Sequence, residues 1–126
     1  MFNVPYAIDA FGELLKGVPA TVFITTVSIL LGLMLGRVFA WIRIRKIPVA
    51  SQLIAALVSL IRSTPILVQL YVVCYGMPRI IAFIHQQPEL GSKVTILPNS
   101  TAIITFTIYA ASYFGEIYRA SFNSIE

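Results

Sequence analysis

Twenty consecutive residues without a charge, Gly17 to Gly36 (GVPATVFITTVSILLGLMLG), dominate the hydropathy pattern of this chain. About 20 helical residues cross a hydrocarbon core of roughly 30 Å, so the run predicts a membrane-spanning helix over about 17–42. Ahead of it, over 4–16, Ile8, Phe11, Leu14 and Leu15 recur at helical spacing, with Asp9, Glu13 and Lys16 on the other side. That is the pattern of a short amphipathic helix at the lipid interface. Behind it, Ile47 to Pro78 is apolar apart from Arg62. Ser63 to Pro78 alone makes about 24 Å of helix, short of a full crossing. The second span is therefore predicted over about 50–78, with Arg62 inside it. Pro65 removes a backbone donor and predicts a kink there, where Ser63 and Thr64 can serve the freed carbonyls. Residues 79–99, with Pro88, Gly91, Pro98 and Asn99, read as an external loop holding a short interfacial helix at Ile80–Ile84. Asn99 or Ser100 can cap a third helix, predicted over about 99–122. Thr, Ser and Ala recur along it, as suits helix–helix contact in lipid. Tyr109, Tyr113 and Glu116 share one of its faces at i, i+4 and i+7. The fold class is all-α: a polytopic membrane protein with three transmembrane helices.

Composition agrees. Of 126 residues, 58% are hydrophobic and 11% charged, against roughly 25% charged in soluble domains. The net charge of +4 matters less than its placement. Arg37, Arg43, Arg45 and Lys46 cluster after the first span around Trp41, with no acid among them. By the positive-inside rule this segment is cytoplasmic, the N-terminus is outside and residue 126 is inside. Anionic lipid headgroups are the partners expected for that cluster. No basic stripe with stacking aromatics accompanies it, so nucleic acid is not an expected partner. The N-terminus lacks the basic region and small-residue cleavage site of a signal peptide.

Candidate chemistry is sparse. Cys74 is the one cysteine and lies in an apolar run, where it acts as a small hydrophobe. His85 has no carboxylate, Cys or second His at ligand spacing, so no metal site is expected. Phosphate-loop, HExxH, GxSxG and CxxC patterns are missing, and no catalytic residue or cofactor is assigned. The informative residues are polar ones inside spans: Arg62 and Glu116, which are costly in hydrocarbon, and Gln69, deep in the second span. Gly32 and Gly36 form a GxxxG pair that permits close approach of a second helix.

Three blocks resemble one family. GELLKGVPATVFITTVSILLGLMLG looks like the opening helix of the permease subunits of bacterial polar amino-acid ABC importers. IRSTPILVQLYVVCYGMP resembles their second-helix signature, with Arg62, Thr64, Pro65, Val68 and Gln69 matching. YAASYFGEIYRASFNSIE is similar to the lead-in to the ATPase coupling loop, with Glu116, Arg119, Ser124 and Ile125 matching and Gly115 standing where Ala is usual. The Glu-Ala-Ala motif of that loop would follow beyond Glu126, so the chain is expected to be the N-terminal part of a five-helix permease, residues 1–126 forming the front of one transmembrane domain.

The resemblance implies a translocation path for a polar amino acid across the cytoplasmic membrane, with Gln69, Tyr109 and Tyr113 as candidate path residues. The implied partners are a dimer of ABC ATPase subunits, a second permease subunit (identical or homologous) and an extracytoplasmic substrate-binding protein. The permease itself does no covalent chemistry. The alternative reading is a small three-span scaffold protein without transport activity.

Overall fold

The computed structural model describes residues 3–89, 91 and 97–125. Among them are four helices: α1 (Val4–Ile44), α2 (Ala50–Ser63), α3 (Ile66–Ile84) and α4 (Pro98–Asn123). α3 contains one π-helical stretch, Val72–Gly76. Two of the four, α1 and α3, are both long and apolar enough to cross a membrane. α4 has 26 residues but is less apolar, for a reason that its packing explains.

The burial pattern is inverted relative to a water-soluble bundle. The interior holds Ser28, Gly32, Gly36 and Ala40 of α1 against Thr101, Thr105, Ala111, Ser112 and Gly115 of α4. Large apolar side chains such as Phe23, Leu30, Met34, Leu60 and Phe83 point outward. Lipid tails are as apolar as leucine, so helices in a membrane gain by close backbone approach through small residues and by interhelical hydrogen bonds. α4 is the least apolar long helix because its small and hydroxylated side chains form that interior.

Residues 28, 32, 36 and 40 recur every four positions, so one continuous stripe of α1 meets α4. The approach leaves no room for a side chain. A Cβ on Gly36 would lie 2.9 Å from Phe114 Cβ and 3.0 Å from both Ala111 O and Gly115 N. A Cβ on Gly32 would lie 2.6 Å from Ala110 Cβ. Ser28 Oγ donates to the Ile103 carbonyl at 3.4 Å across the seam. Thr105 Oγ1 and Ser112 Oγ donate within α4, to Thr101 O at 2.8 Å and Tyr109 O at 2.7 Å.

Three expected boundaries change. The amphipathic segment 4–16 is not a separate helix: α1 runs through it without interruption, since nothing between Leu15 and Val22 ends a helix except Pro19, and that proline is accommodated inside. The polar side of this segment carries the Lys16–Glu13 pair at 2.8 Å. The second expected helix, 50–78, is broken rather than kinked at Pro65. Thr64 (φ −104°, ψ 133°) and Pro65 (φ −58°, ψ 139°) are both extended, because a residue preceding proline is driven out of the helical region. The chain then stays helical past Pro78 to Ile84, taking Arg79 and the expected 80–84 helix into α3. Residues 90 and 92–96 of the expected external loop lie outside the described residues, as does Glu126.

α1 and α2 join through residues 45–49, where Lys46 (φ 50°) and Val49 (φ 68°) have left-handed backbones. The Ala50 N–H closes this turn on the Pro48 carbonyl at 2.8 Å. α2 packs against α1 and α4 and buries Val58 and Ile61.

Candidate functional site

Two polar constructions stand out among the described residues. The first is the break itself. Ending α2 at Ser63 frees the last carbonyls of that helix, which have no partner within it. Three side chains serve them, and the carbonyl of Thr64 beyond them, with four hydrogen bonds. Ser63 Oγ donates to Leu60 O at 3.0 Å, and Thr64 Oγ1 donates to the same oxygen at 2.7 Å. Gln69 Nε2 reaches back to Ile61 O at 2.7 Å and Thr64 O at 3.0 Å. The RSTP-x-x-x-Q spacing thus has a physical account. Pro65 stops the first helix, Ser63 and Thr64 satisfy one end of the gap, and Gln69, one turn into the next helix, bridges it. Both N–H groups of Gln69 are spent on backbone carbonyls. An apolar cavity of about 340 Å³ lies alongside, lined by Leu57, Leu60, Val68, Gln69, Val73 and Ile108 among others.

The second construction lies where α1, α2 and α4 converge. Glu116 of α4 accepts from Arg43 of α1, 73 positions earlier in the chain. Its other oxygen accepts from Arg119 Nε at 3.1 Å. The Arg43 and Glu116 side chains keep 17% and 21% of their exposure, against 39% for Arg119. Arg43–Glu116 is therefore the protected pair and Glu116–Arg119 the outer one. Arg62, in the last turn of α2, places its guanidinium 5.1 Å from the centre of the Tyr113 ring, a cation–π distance. The Tyr109 and Tyr113 hydroxyls are 3.3 Å apart, with ring centres at 5.0 Å. Between these groups is a cavity of about 470 Å³ lined by Arg43, Val58, Ser59, Arg62, Tyr113 and Glu116, with Ala55 and Ser63 completing it.

The structure therefore joins Arg62, Tyr113, Tyr109, Glu116 and Arg119 in one region, and Thr64, Pro65 and Gln69 in an adjoining one. Ser124 and Ile125 lie beyond α4 in an exposed turn, with Ser124 Oγ donating to Ser121 O at 2.7 Å. One expectation is overturned. Arg43 is not left to lipid headgroups, because it is turned inward to Glu116. No local pattern announces this contact. The available sign was a lone carboxylate, Glu116, in the otherwise acid-free 98–123 segment, which calls for an inward-facing cation from elsewhere. Arg45, two residues on, behaves as expected of an interfacial residue, stacking 5.6 Å over the Trp41 ring.

Small residues inside, large apolar residues outside and polar groups gathered at helix ends define a class: a polytopic all-α membrane protein. Comparison with known proteins then narrows it. The chain is 36% identical over 96% of its length to a Bacillus subtilis protein named "Probable amino-acid permease protein YxeN". It is 37% identical over 99% to the L-cystine transport system permease protein TcyL of the same organism, and 31% identical over 98% to the nopaline transport system permease protein NocM of Agrobacterium fabrum. In each case it spans half the length of the relative. No family model matches the chain, and no solved structure does. Along almost its whole length the chain is thus similar to amino-acid ABC transporter permeases.

Proposed function

We propose that this chain is the front portion of a permease subunit that carries a polar amino acid across the bacterial cytoplasmic membrane. Transport is driven by ATP hydrolysis on partner ATPase subunits and fed by an extracytoplasmic binding protein, with a second permease completing the path. The observation that carries this reading is similarity to named amino-acid permeases along almost the entire chain.

The helix lengths support a layered arrangement. Gly17 to Gly36, α3, and Pro98 to Gly115 each give about 27–30 Å of helix, which matches the roughly 30 Å of hydrocarbon. Their inner ends then meet Arg37, Ser63 and Glu116. Taking the basic segment 37–46 as cytoplasmic by the positive-inside rule, α2 and the Arg43–Glu116–Arg119 cluster lie on that side, with the N-terminus outside and residue 126 inside. The Glu116–Arg119 pair orients the helix that leads toward Ser124, Ile125 and the ATPase. Pro65 and Gln69 define the break between the cytoplasmic and membrane portions of the second hairpin arm. Gln69, with its donors committed to the backbone, serves that break, while Tyr113 and Tyr109 face the path.

Uptake of radiolabelled L-cystine, L-glutamine and L-arginine tests the reading, in cells lacking their own importers and supplied with the complete transporter operon. ATP-dependent accumulation of at least one is expected. No accumulation of any of the three, nor of the other polar amino acids assayed in the same way, with the permease present in the membrane, rejects it.

A further inference from the structure

Arg62 is a cation without a carboxylate partner among the described residues. The single carboxylate of the neighbouring cluster, Glu116, is shared by Arg43 and Arg119. Arg62 instead lies against the Tyr113 ring, on the wall of the cavity of about 470 Å³.

The sequence of α2 reinforces this. At 100° per residue, Ser51, Gln52, Ala55, Ser59, Arg62 and Ser63 fall on one side of the helix. Leu53, Leu57 and Leu60 fall on another and are exposed. Val58 and Ile61 face the bundle and are buried. A polar strip of small side chains ending in a guanidinium with no carboxylate partner among the described residues suits a wetted wall rather than a lipid-facing one. A bound phospholipid would also need an apolar flank for its acyl chains. Here the apolar wall residues are only Ala55 and Val58, the remainder being Arg, Ser, Tyr and Glu. The cavity is open on one side and, at about 470 Å³, has room for an amino acid.

We propose that this cavity binds the transported amino acid, with Arg62 receiving its α-carboxylate. The inference rests on the permease reading above. A planar guanidinium matches a carboxylate with two parallel N–H donors. The Tyr113 ring holds it from behind, and the Ser59 hydroxyl lies on the same wall. Glu116, already saturated by two arginines, positions the far side and does not compete for Arg62. The site would recognise the backbone carboxylate common to all amino acids and leave side-chain selection to other groups.

The test is equilibrium binding of the radiolabelled amino acid shown to be taken up, measured on the purified permease–ATPase complex without binding protein. The competitors are the same amino acid and its α-carboxamide. For the unaltered complex, the carboxamide should compete at least tenfold less well than the acid. Arg62→Gln should weaken binding of the acid at least tenfold and abolish the distinction, and Arg62→Lys should restore part of it. The carboxamide comparison needs no variant, so it stands even if Arg62→Gln fails to assemble. Equal competition by acid and amide overturns the proposal. So does an unchanged dissociation constant in Arg62→Gln, including the case where that variant instead loses co-purified anionic phospholipid, which would make the cavity a headgroup site. Failure of the permease reading looks different: the unaltered transporter takes up no amino acid at all.

Discussion

The glycine seam of α1 and α4 and the charged junction at their inner ends are built from the same two helices, yet they hold together by different physics. At the seam, contact is steric. Gly32 and Gly36 bring the backbones so close that even a methyl group collides with Ala110 Cβ or Ala111 O. At the junction, contact is electrostatic and open. Arg43, Glu116 and Arg119 meet beside a cavity, and Arg62 rests on an aromatic face rather than on an acid. A close-packed seam resists continuous deformation. A cluster of long charged side chains around a void can exchange partners at low cost. The same helix pair thus offers a fixed axis at one end and an adjustable one at the other, the division expected of a bundle that switches between two states.

The seam should show the largest mutational effect. Gly36→Leu is expected to prevent accumulation of folded protein in the membrane, and Gly36→Ala to cost about 1–3 kcal/mol through overpacking. Thermal unfolding in detergent measures the latter, and an unshifted midpoint would mean that the helices can part there without penalty. Next is Glu116→Ala, which strands Arg43 in a largely covered position. The loss is expected at about 1–3 kcal/mol, below the range for a fully buried pair because water reaches the cluster. The charge-swapped variant Arg43→Glu with Glu116→Arg should recover part of it. If it is no better than either single change, the two residues are not a pair.

Gln69→Leu removes both bridging donors at the break and leaves two carbonyls to find new partners, at about 1–3 kcal/mol. Hydrogen exchange should speed up locally over 61–69 while the seam stays protected, and uniform acceleration would argue against a local clamp. Arg119→Ala should have the smallest effect, under about 1 kcal/mol, because its pair with Glu116 is the more exposed one. A loss equal to that of Glu116→Ala would reverse the assignment of inner and outer partners.

Much of this was legible along the chain. The uncharged run 17–36 announces a spanning helix by itself. The GxxxG pair is in fact the seam. The third helix starts earlier than expected: Leu97 is its N-cap and Pro98 its first residue, so Asn99 and Ser100 lie inside the first turn and do not cap it, because proline is pre-set for the first position of a helix. Tyr109, Tyr113 and Glu116 share the face that their spacing implies. The misreadings have a common origin. Pro65 was legible as a disturbance, but whether a proline kinks or breaks a helix depends on what satisfies the freed carbonyls. Here the bridging group is a glutamine four residues on. The fusion of 4–16 into α1 was hidden because amphipathicity describes which faces are polar and says nothing about where a helix stops.

Local sequence determined the helical class, the apolar lengths, the polar side of α2 and the small-residue stripe, because each depends on periodicity within a few turns. Only the tertiary structure decided that Arg43 belongs to Glu116, that Arg62 faces a ring in place of an acid, and that the least apolar long helix is the interior one. These facts depend on pairings between residues some 50 to 75 positions apart. Nothing in a neighbourhood of a few residues records which distant side chain will share its space.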